Sequence, residues 1–268
     1  MTSGDLAGLM AAGYGADVAA WAKGPARVYD RLAEVLVAAS PVSLCGAVVL
    51  DLGAGTGAAT RAVGATGGRV VAVDLALDML RFDQRHRPLA IAADARALPF
   101  RAGTFDAVAA GFSISHVPDP SQALSEAARV IRRGGVLLVS VFSARSSHPA
   151  KEQIEQVAAR FGYRRPAWYE WFKAEVEPLT ADPEALAAAA QAAGLENVHI
   201  IERPVHLGTH TTTDLVAWRL GMASMAGFVA SLPPERRAAL VAAAEEAVGL
   251  APQPFTPLVL ILSSRVAA

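Results

Sequence analysis

Apolar positions along this chain follow two alternating rhythms. Val28, Leu32, Val35 and Leu36 recur at helical spacing and predict a helix over Ala26–Ala38, the clearest of several expected in residues 1–45. Short, nearly continuous apolar runs follow at Ala47–Leu52, Arg69–Asp74, Ala90–Ala93, Ala107–Phe112 and Val136–Phe142, with helical segments between them. The helix before the fifth run, Ser121–Ile131, leads into Arg132-Arg133-Gly134-Gly135 and is expected to exit on glycine there. Strands buried on both faces of a parallel sheet read as continuous apolar runs. Their alternation with helices implies an α/β fold, a doubly wound sheet with right-handed crossovers. Beyond Phe142 the rhythm breaks. A helix over Pro183–Ala193, a sixth strand over Val198–Glu202, two helices over Leu215–Leu232 and Pro234–Val248, and a last strand over Leu258–Ser263 are predicted. No internal repeat or low-complexity linker interrupts the 268 residues, so one domain is the economical expectation.

Composition narrows the function classes. An apolar fraction of 53% supplies ample core, and a net charge of −1 offers no global field for nucleic acid. Cys45 is the only cysteine, which excludes an intrachain disulfide and a cysteine metal cluster. Asp5 and Asp17 interrupt the N-terminal region, against a signal peptide. The uncharged stretch Ala247–Ser264 contains Pro252, Pro254 and Pro257, which suits a loop entering a strand and not a membrane helix. A cytoplasmic protein without membrane insertion is expected.

The chemistry concentrates at strand ends. Val48-Val49-Leu50-Asp51-Leu52 runs directly into Gly53-Ala54-Gly55-Thr56-Gly57, where glycines let the backbone turn tightly and a ligand approach the main chain. The spacing is G-x-G-x-G, not the G-x-G-x-x-G of dinucleotide binders. The second strand ends on Asp74, which places a carboxylate at a strand's C-terminal end, where α/β folds bind ligands. Downstream come Asp94-Ala95-Arg96-Ala97-Leu98-Pro99-Phe100, then Phe105-Asp106-Ala107-Val108, Ser113-Ile114-Ser115-His116-Val117-Pro118-Asp119 and Arg132-Arg133-Gly134-Gly135-Val136-Leu137.

In that order, over roughly Ala47 to Phe142, these stations resemble the class I S-adenosylmethionine (SAM) methyltransferases. The nearest subgroup is the ubiquinone/menaquinone-biosynthesis type. The resemblance implies a Rossmann-like seven-stranded sheet of order 3-2-1-4-5-7-6 with the last strand antiparallel. It also implies a helical lid over residues 1–45, a cofactor-binding core over 46–145, a helical cap over 146–182, and the rest of the sheet with a helical insert over 183–268. It assigns cofactor contacts to Asp51, Gly53, Ala54, Gly55, Gly57, Asp74, Leu75, Met79, Asp94, Ala95 and Gly111. Asp94 would accept from the adenine amino group, and the Gly53–Gly57 loop would face the methionine moiety. On the helix before the loop, Tyr29 and Arg27 would touch the methionine carboxylate. SAM is the implied cofactor and S-adenosylhomocysteine (SAH) the product.

Methyl transfer from a sulfonium needs no protonation of the leaving group, so positioning and exclusion of water can supply most of the catalysis. A base is needed only for a nucleophile that must lose a proton. His116, after the fourth strand, is the first candidate and His148, after the fifth, the second; each has a purely structural alternative. His206 and His210 flank Gly208 near the exit of the sixth strand. No spacing resembles a metal site, so metal independence is expected. Phe161, Tyr163, Trp168, Tyr169, Trp171 and Phe172 form an aromatic group where the family builds its acceptor pocket. A small, apolar or aromatic acceptor methylated on oxygen, nitrogen or carbon follows, by a monomer or homodimer. A SAM-fold protein that binds without methylating, cyclase-like or a binding module, is the alternative. An NAD oxidoreductase is disfavoured by the glycine spacing. A nucleic-acid enzyme is disfavoured because Gly111-Phe112-Ser113-Ile114 lacks the D/N-P-P-Y/F tetrapeptide.

Overall fold

The computed structural model describes residues 3–82, 84–86, 88–208 and 210–267. Three helices lead: α1 (Ser3–Gly15), α2 (Val18–Lys23) and α3 (Pro25–Ala38). Then β1 (Val48–Leu52), α4 (Ala58–Ala65), β2 (Arg69–Asp74), α5 (Leu77–Arg81), β3 (Ala90–Ala92), β4 (Phe105–Gly111), α6 (Pro120–Val130) and β5 (Ile131–Phe142) alternate. A helical segment follows: α7 (Pro149–Arg160), α8 (Ala167–Trp171), a π turn over Phe172–Val176, and α9 (Glu177–Thr180). The chain closes with α10 (Pro183–Ala192), β6 (Leu195–Pro204), α11 (Thr212–Leu220), α12 (Ala223–Ser231), α13 (Pro234–Val248) and β7 (Leu258–Val266).

The strands form one seven-stranded sheet of order β3-β2-β1-β4-β5-β7-β6, the order the resemblance implies. β1 to β5 pair in parallel, and β7 runs antiparallel to both β5 and β6. Successive residues of a strand point to opposite faces, so one strand feeds two cores. Val49 packs with Leu36, Val63 and Leu138 on the face covered by α3 and α4. Leu50 packs with Val108, Leu124 and Leu186 on the face covered by α6 and α10. Each such fully buried aliphatic side chain contributes about 2 kcal/mol of transfer free energy. The apolar stripe of α3 consists of Val28, Leu32 and Leu36, all nearly inaccessible, as the periodicity predicts.

Two elements depart from the sequence-based expectation. The predicted helix Leu215–Leu232 is two helices, broken after Leu220. A Cβ on Gly221 would lie 2.8 Å from both the Ala20 carbonyl oxygen and Pro25 Cδ, so this turn is pressed against the junction of α2 and α3. The contact forces a change of direction that apolar periodicity does not register. Likewise, the helix before β5 ends at Val130, and the Arg132-Arg133-Gly134-Gly135 stretch belongs to the strand. There the β4 pairing jumps from Phe105↔Ile131 to Ala107↔Val136, so these residues form a bulge and not a helix exit.

Candidate active site

The loop after β1 folds back over the end of β2. The amides of Gly53 and Ala54 both donate to the Val73 carbonyl, at 2.8 and 2.9 Å. This return requires the left-handed region, and Gly53, Gly55 and Gly57 have φ of +74°, +52° and +92°. The Gly55 amide then donates to Asp74 Oδ2 at 2.7 Å, and the Ala76 amide to Oδ1 at 2.8 Å. The carboxylate at the end of β2 is thereby aimed by the loop it sits beside. Beneath the loop, buried Asp51 accepts from Thr60 Oγ1 at 2.6 Å, and Arg61 donates to the Thr56 carbonyl at 2.8 Å while pairing with Asp30. Gly57 caps the start of α4.

Gly53, Gly55 and Asp74 border a cavity of about 150 Å3 at the carboxyl ends of β1, β2 and β4. Open α/β sheets bind ligands at this edge. On the β3 side the cavity reaches Asp94. Its carboxylate accepts from the Arg96 side chain, at 3.0 Å from Nε and 2.6 Å from Nη2, and from the Arg96 amide at 2.9 Å. Those bonds hold the Asp94 carboxyl below the usual carboxylate range.

The opposite wall is aromatic. Ala7, Met10, Ala11 and Tyr14 of α1 close over the opening, with Trp21 and Tyr29 behind them. Trp21 stacks on Tyr29 at 5.2 Å, and Tyr14 meets the Trp21 ring edge-on at 5.4 Å. Burial, reinforced by Tyr29, Asp74 and Tyr169, raises the Tyr14 phenol well above its ordinary range. Burial raises the Tyr29 phenol as well, with Tyr169 adding to it and Arg219 opposing. Both therefore stay protonated donors. Phe112, just past β4, has φ of +56°, a costly conformation for a bulky side chain. Its amide donates to the Ser140 carbonyl at 2.8 Å, and its ring packs on Tyr29 at 5.2 Å and Phe142 at 4.6 Å.

His116 ends a short 3-10 turn, Ile114–His116, and its ring stacks on Phe172 at 4.7 Å with Tyr14 edge-on at 5.7 Å. Its Nδ1 is buried and has no hydrogen-bond partner among the described residues. Burial pushes its pKa down to about 4, so the imidazole is neutral at physiological pH.

Of the residues singled out in the sequence, Tyr29, Gly53, Ala54, Gly55, Asp74, Leu75, Met79, Asp94, Ala95, Gly111 and His116 line this cavity. Asp51 and Gly57 lie outside the lining and support the loop from below. Two residues must be corrected. The Arg27 side chain is 71% exposed and pairs with Asp214 at 3.1 Å, because it lies on the opposite flank of α3 from the buried stripe. His148 is a helix cap: Nδ1 accepts from the Ala150 amide at 3.3 Å and Nε2 bonds the Gln253 carbonyl at 3.1 Å. Both ring nitrogens are engaged away from the cavity. His206 lies near Thr256, and His210 near the Gly208 carbonyl, both outside the lining. Of the aromatic group only Phe172 reaches a lining histidine, whereas Tyr163 donates to the Ser224 carbonyl at 3.1 Å. Sequence reasoning missed Phe112, Ser113 and Thr56 in the lining. The available signal was their place immediately after a strand or within the glycine loop.

The donor set fits SAM. Asp74 and Asp94 are acceptors spaced along one edge of the sheet for hydroxyl and amino donors, and Gly53 and Gly55 of the loop line the same cavity. Residues 50–139 match the model of a methyltransferase domain family. The demethylmenaquinone methyltransferase of Renibacterium salmoninarum is 43% identical over 122 residues, 45% of this chain and 50% of that protein. The chain thus spans about half the length of the curated relatives it matches. Among solved structures, a methyltransferase from an antibiotic biosynthesis pathway of Anabaena variabilis, itself described as putative, superposes with a TM-score of 0.61. It is 16% identical and covers 88% of this chain and 97% of that one. The 4+2 cyclase SpnF superposes with a TM-score of 0.55 at 21% identity, over 89% and 81% of the two chains. These likenesses establish the fold.

Proposed function

We propose that the chain, whose residues 50–139 match the model of a methyltransferase domain, transfers a methyl group from SAM to a small, uncharged, largely apolar acceptor. The observation that carries this reading is the convergence of Gly53, Gly55, Asp74 and Asp94 on one cleft, roofed by α1. When bound, SAM supplies an electrophilic methyl whose departure leaves neutral SAH. The protein's share is to bind, orient and keep water out.

Asp74, aimed by the Gly55 and Ala76 amides, accepts the ribose hydroxyls. Asp94 accepts the adenine amino group, with Leu75, Met79 and Ala95 walling the ring. Ala54 and Gly111 bound the end of the cleft that receives the methionine moiety, beside Tyr29. The acceptor side is walled by Met10, Tyr14, Trp21, Tyr29 and Phe112, none of them charged. A charged acceptor would lose its hydration there without compensation, so the walls select neutral molecules. A demethylmenaquinone, the acceptor in the relatives' names, is one candidate of that kind.

His116 is the proposed base. Its neutral ring, on the cavity wall, can take a proton, or a hydrogen bond, from the attacking atom. A base this weak suits an acceptor whose own proton is readily lost. Among the described residues no helix is long and apolar enough to cross a membrane, and a cytoplasmic enzyme is part of the proposal.

Calorimetry with SAM, SAH and NAD tests the reading. Binding of the first two alone is expected, and binding of NAD without SAM would overturn it. Incubating methyl-labelled SAM with a demethylmenaquinone then separates transfer from mere binding.

A further inference from the structure

We propose that Arg96 is the positioning residue that fixes Asp94 for an amino purine, making the ion pair, not the carboxylate alone, the element that reads the base. The proposal rests on the assignment of this cleft to SAM.

Asp94 lines the cavity and Arg96 does not, so the guanidinium approaches the carboxylate from the side away from the cleft. The contact is many-pointed. Nε lies 3.0 Å from Oδ1 and 3.1 Å from Oδ2, Nη2 lies 2.6 Å from Oδ2, and the Arg96 amide adds a bond of 2.9 Å to Oδ1. A single hydrogen bond lets a carboxylate rotate about its last torsion; a fork of this kind defines its plane. The guanidinium is itself held. Its side chain is 17% exposed, Asp119 attracts it, and the Arg96 carbonyl accepts from Gln122 at the start of α6.

The chemistry follows from the inventory of donors and acceptors. An ionised carboxylate only accepts, with about four lone-pair positions in all. Arg96 takes those facing away from the cleft, which leaves the cleft side for one further donor. An adenine amino group is such a donor. The keto oxygen of hypoxanthine in the same place is an acceptor and is repelled. Without the Arg96 side chain the carboxyl loses the bonds that define its plane. Free to rotate, it no longer presents a lone pair in one fixed direction, and the distinction between amino and keto bases fades.

The test measures SAH and S-inosylhomocysteine binding by calorimetry to the full chain and to Arg96→Met and Arg96→Lys, with thermal melts confirming folding. The wild type is expected to prefer SAH by about tenfold or more, as loss of a hydrogen bond to a charged group implies. Arg96→Met should lower that ratio severalfold, and Arg96→Lys, which restores the charge but not the fork, should lie between. A substitution that weakens both ligands equally and leaves the ratio unchanged overturns the proposal, because a purely structural role acts on both alike. Failure of the wild type to bind SAH at all defeats instead the cofactor assignment beneath it.

Discussion

A Cβ placed on Gly53 would lie 2.2 Å from the Cβ of Ser113, while the Ser113 hydroxyl donates to the Leu52 carbonyl at 2.5 Å. The exit of β4 is thus clamped onto the loop after β1, and the two segments define the floor of the cleft together. Gly53 is required twice, for its φ of +74° and for this contact.

Gly53→Ala should therefore destabilise the protein by more than about 2 kcal/mol, adding steric displacement to the cost of a left-handed alanine. Gly134→Ala is the control. Its φ is +70°, but nothing lies within 4 Å of an added Cβ, so only the backbone term of about 1 kcal/mol applies. Denaturant unfolding of both variants measures the difference, which is the contribution of the Ser113 contact. SAH affinity should fall for Gly53→Ala alone.

Asp74→Ala removes both the acceptor of the Gly55 and Ala76 amides and the proposed ribose contact. SAH binding should weaken roughly ten- to hundredfold, the range for hydrogen bonds to a charged group. Calorimetry reports it directly, and unchanged affinity would remove Asp74 from the cofactor site.

His116 links stability to pH. Its pKa falls from 6.5 in the unfolded chain to about 4 in the folded one, so between these values the unfolded state binds the extra proton. Stability is insensitive to this group above pH 6.5 and is lost as pH drops toward 4. Between pH 7.5 and 5 the loss should be about 2 kcal/mol. Glu126, Asp94 and Asp106, whose carboxyls are held low, titrate below that window. Urea unfolding at the two pH values should show the slope in the wild type and its disappearance in His116→Gln.

His148→Ala removes a helix cap and nothing from the cleft. A stability loss of about 1 kcal/mol with unchanged SAH affinity is expected, and His148→Asn should recover much of it because asparagine caps well. A fall in SAH affinity would return His148 to the site.

Glu155 joins Arg219, whose side chain is only 3% exposed, at 2.9 Å, and also pairs with Arg165. Glu155→Gln leaves a buried guanidinium without its carboxylate and should cost about 3 kcal/mol in denaturant unfolding. Replacing both members, as in Glu155→Leu with Arg219→Met, should recover part of this loss.

Residue by residue, the sequence was most legible where local chemistry and the strand period coincide. Asp74 and Asp94 could be placed at one edge of the sheet because Asp74 ends one parallel strand and Asp94 lies just beyond the end of another, and parallel strands end on the same side. Arg27 was legible too, had the helical period been followed through. It sits one position before Val28 and two before Tyr29, out of phase with the buried stripe through Leu32 and Leu36. His148 carried its own signal, since it precedes Pro149 at a helix start. The break at Gly221 and the bulge before Val136 carried none, because each is imposed by an element distant in the chain.

By itself, then, the sequence determined the alternation of strands and helices, the G-x-G-x-G turn and the two carboxylates along the sheet edge, since these depend on short-range periodicity and backbone sterics. Only the tertiary structure decided which histidine faces the cleft and how basic it is. It also decided that Phe112 is held left-handed against Tyr29, and that Arg96 stands behind Asp94. Those properties arise from desolvation and from contacts between segments far apart in the chain, which no local pattern encodes.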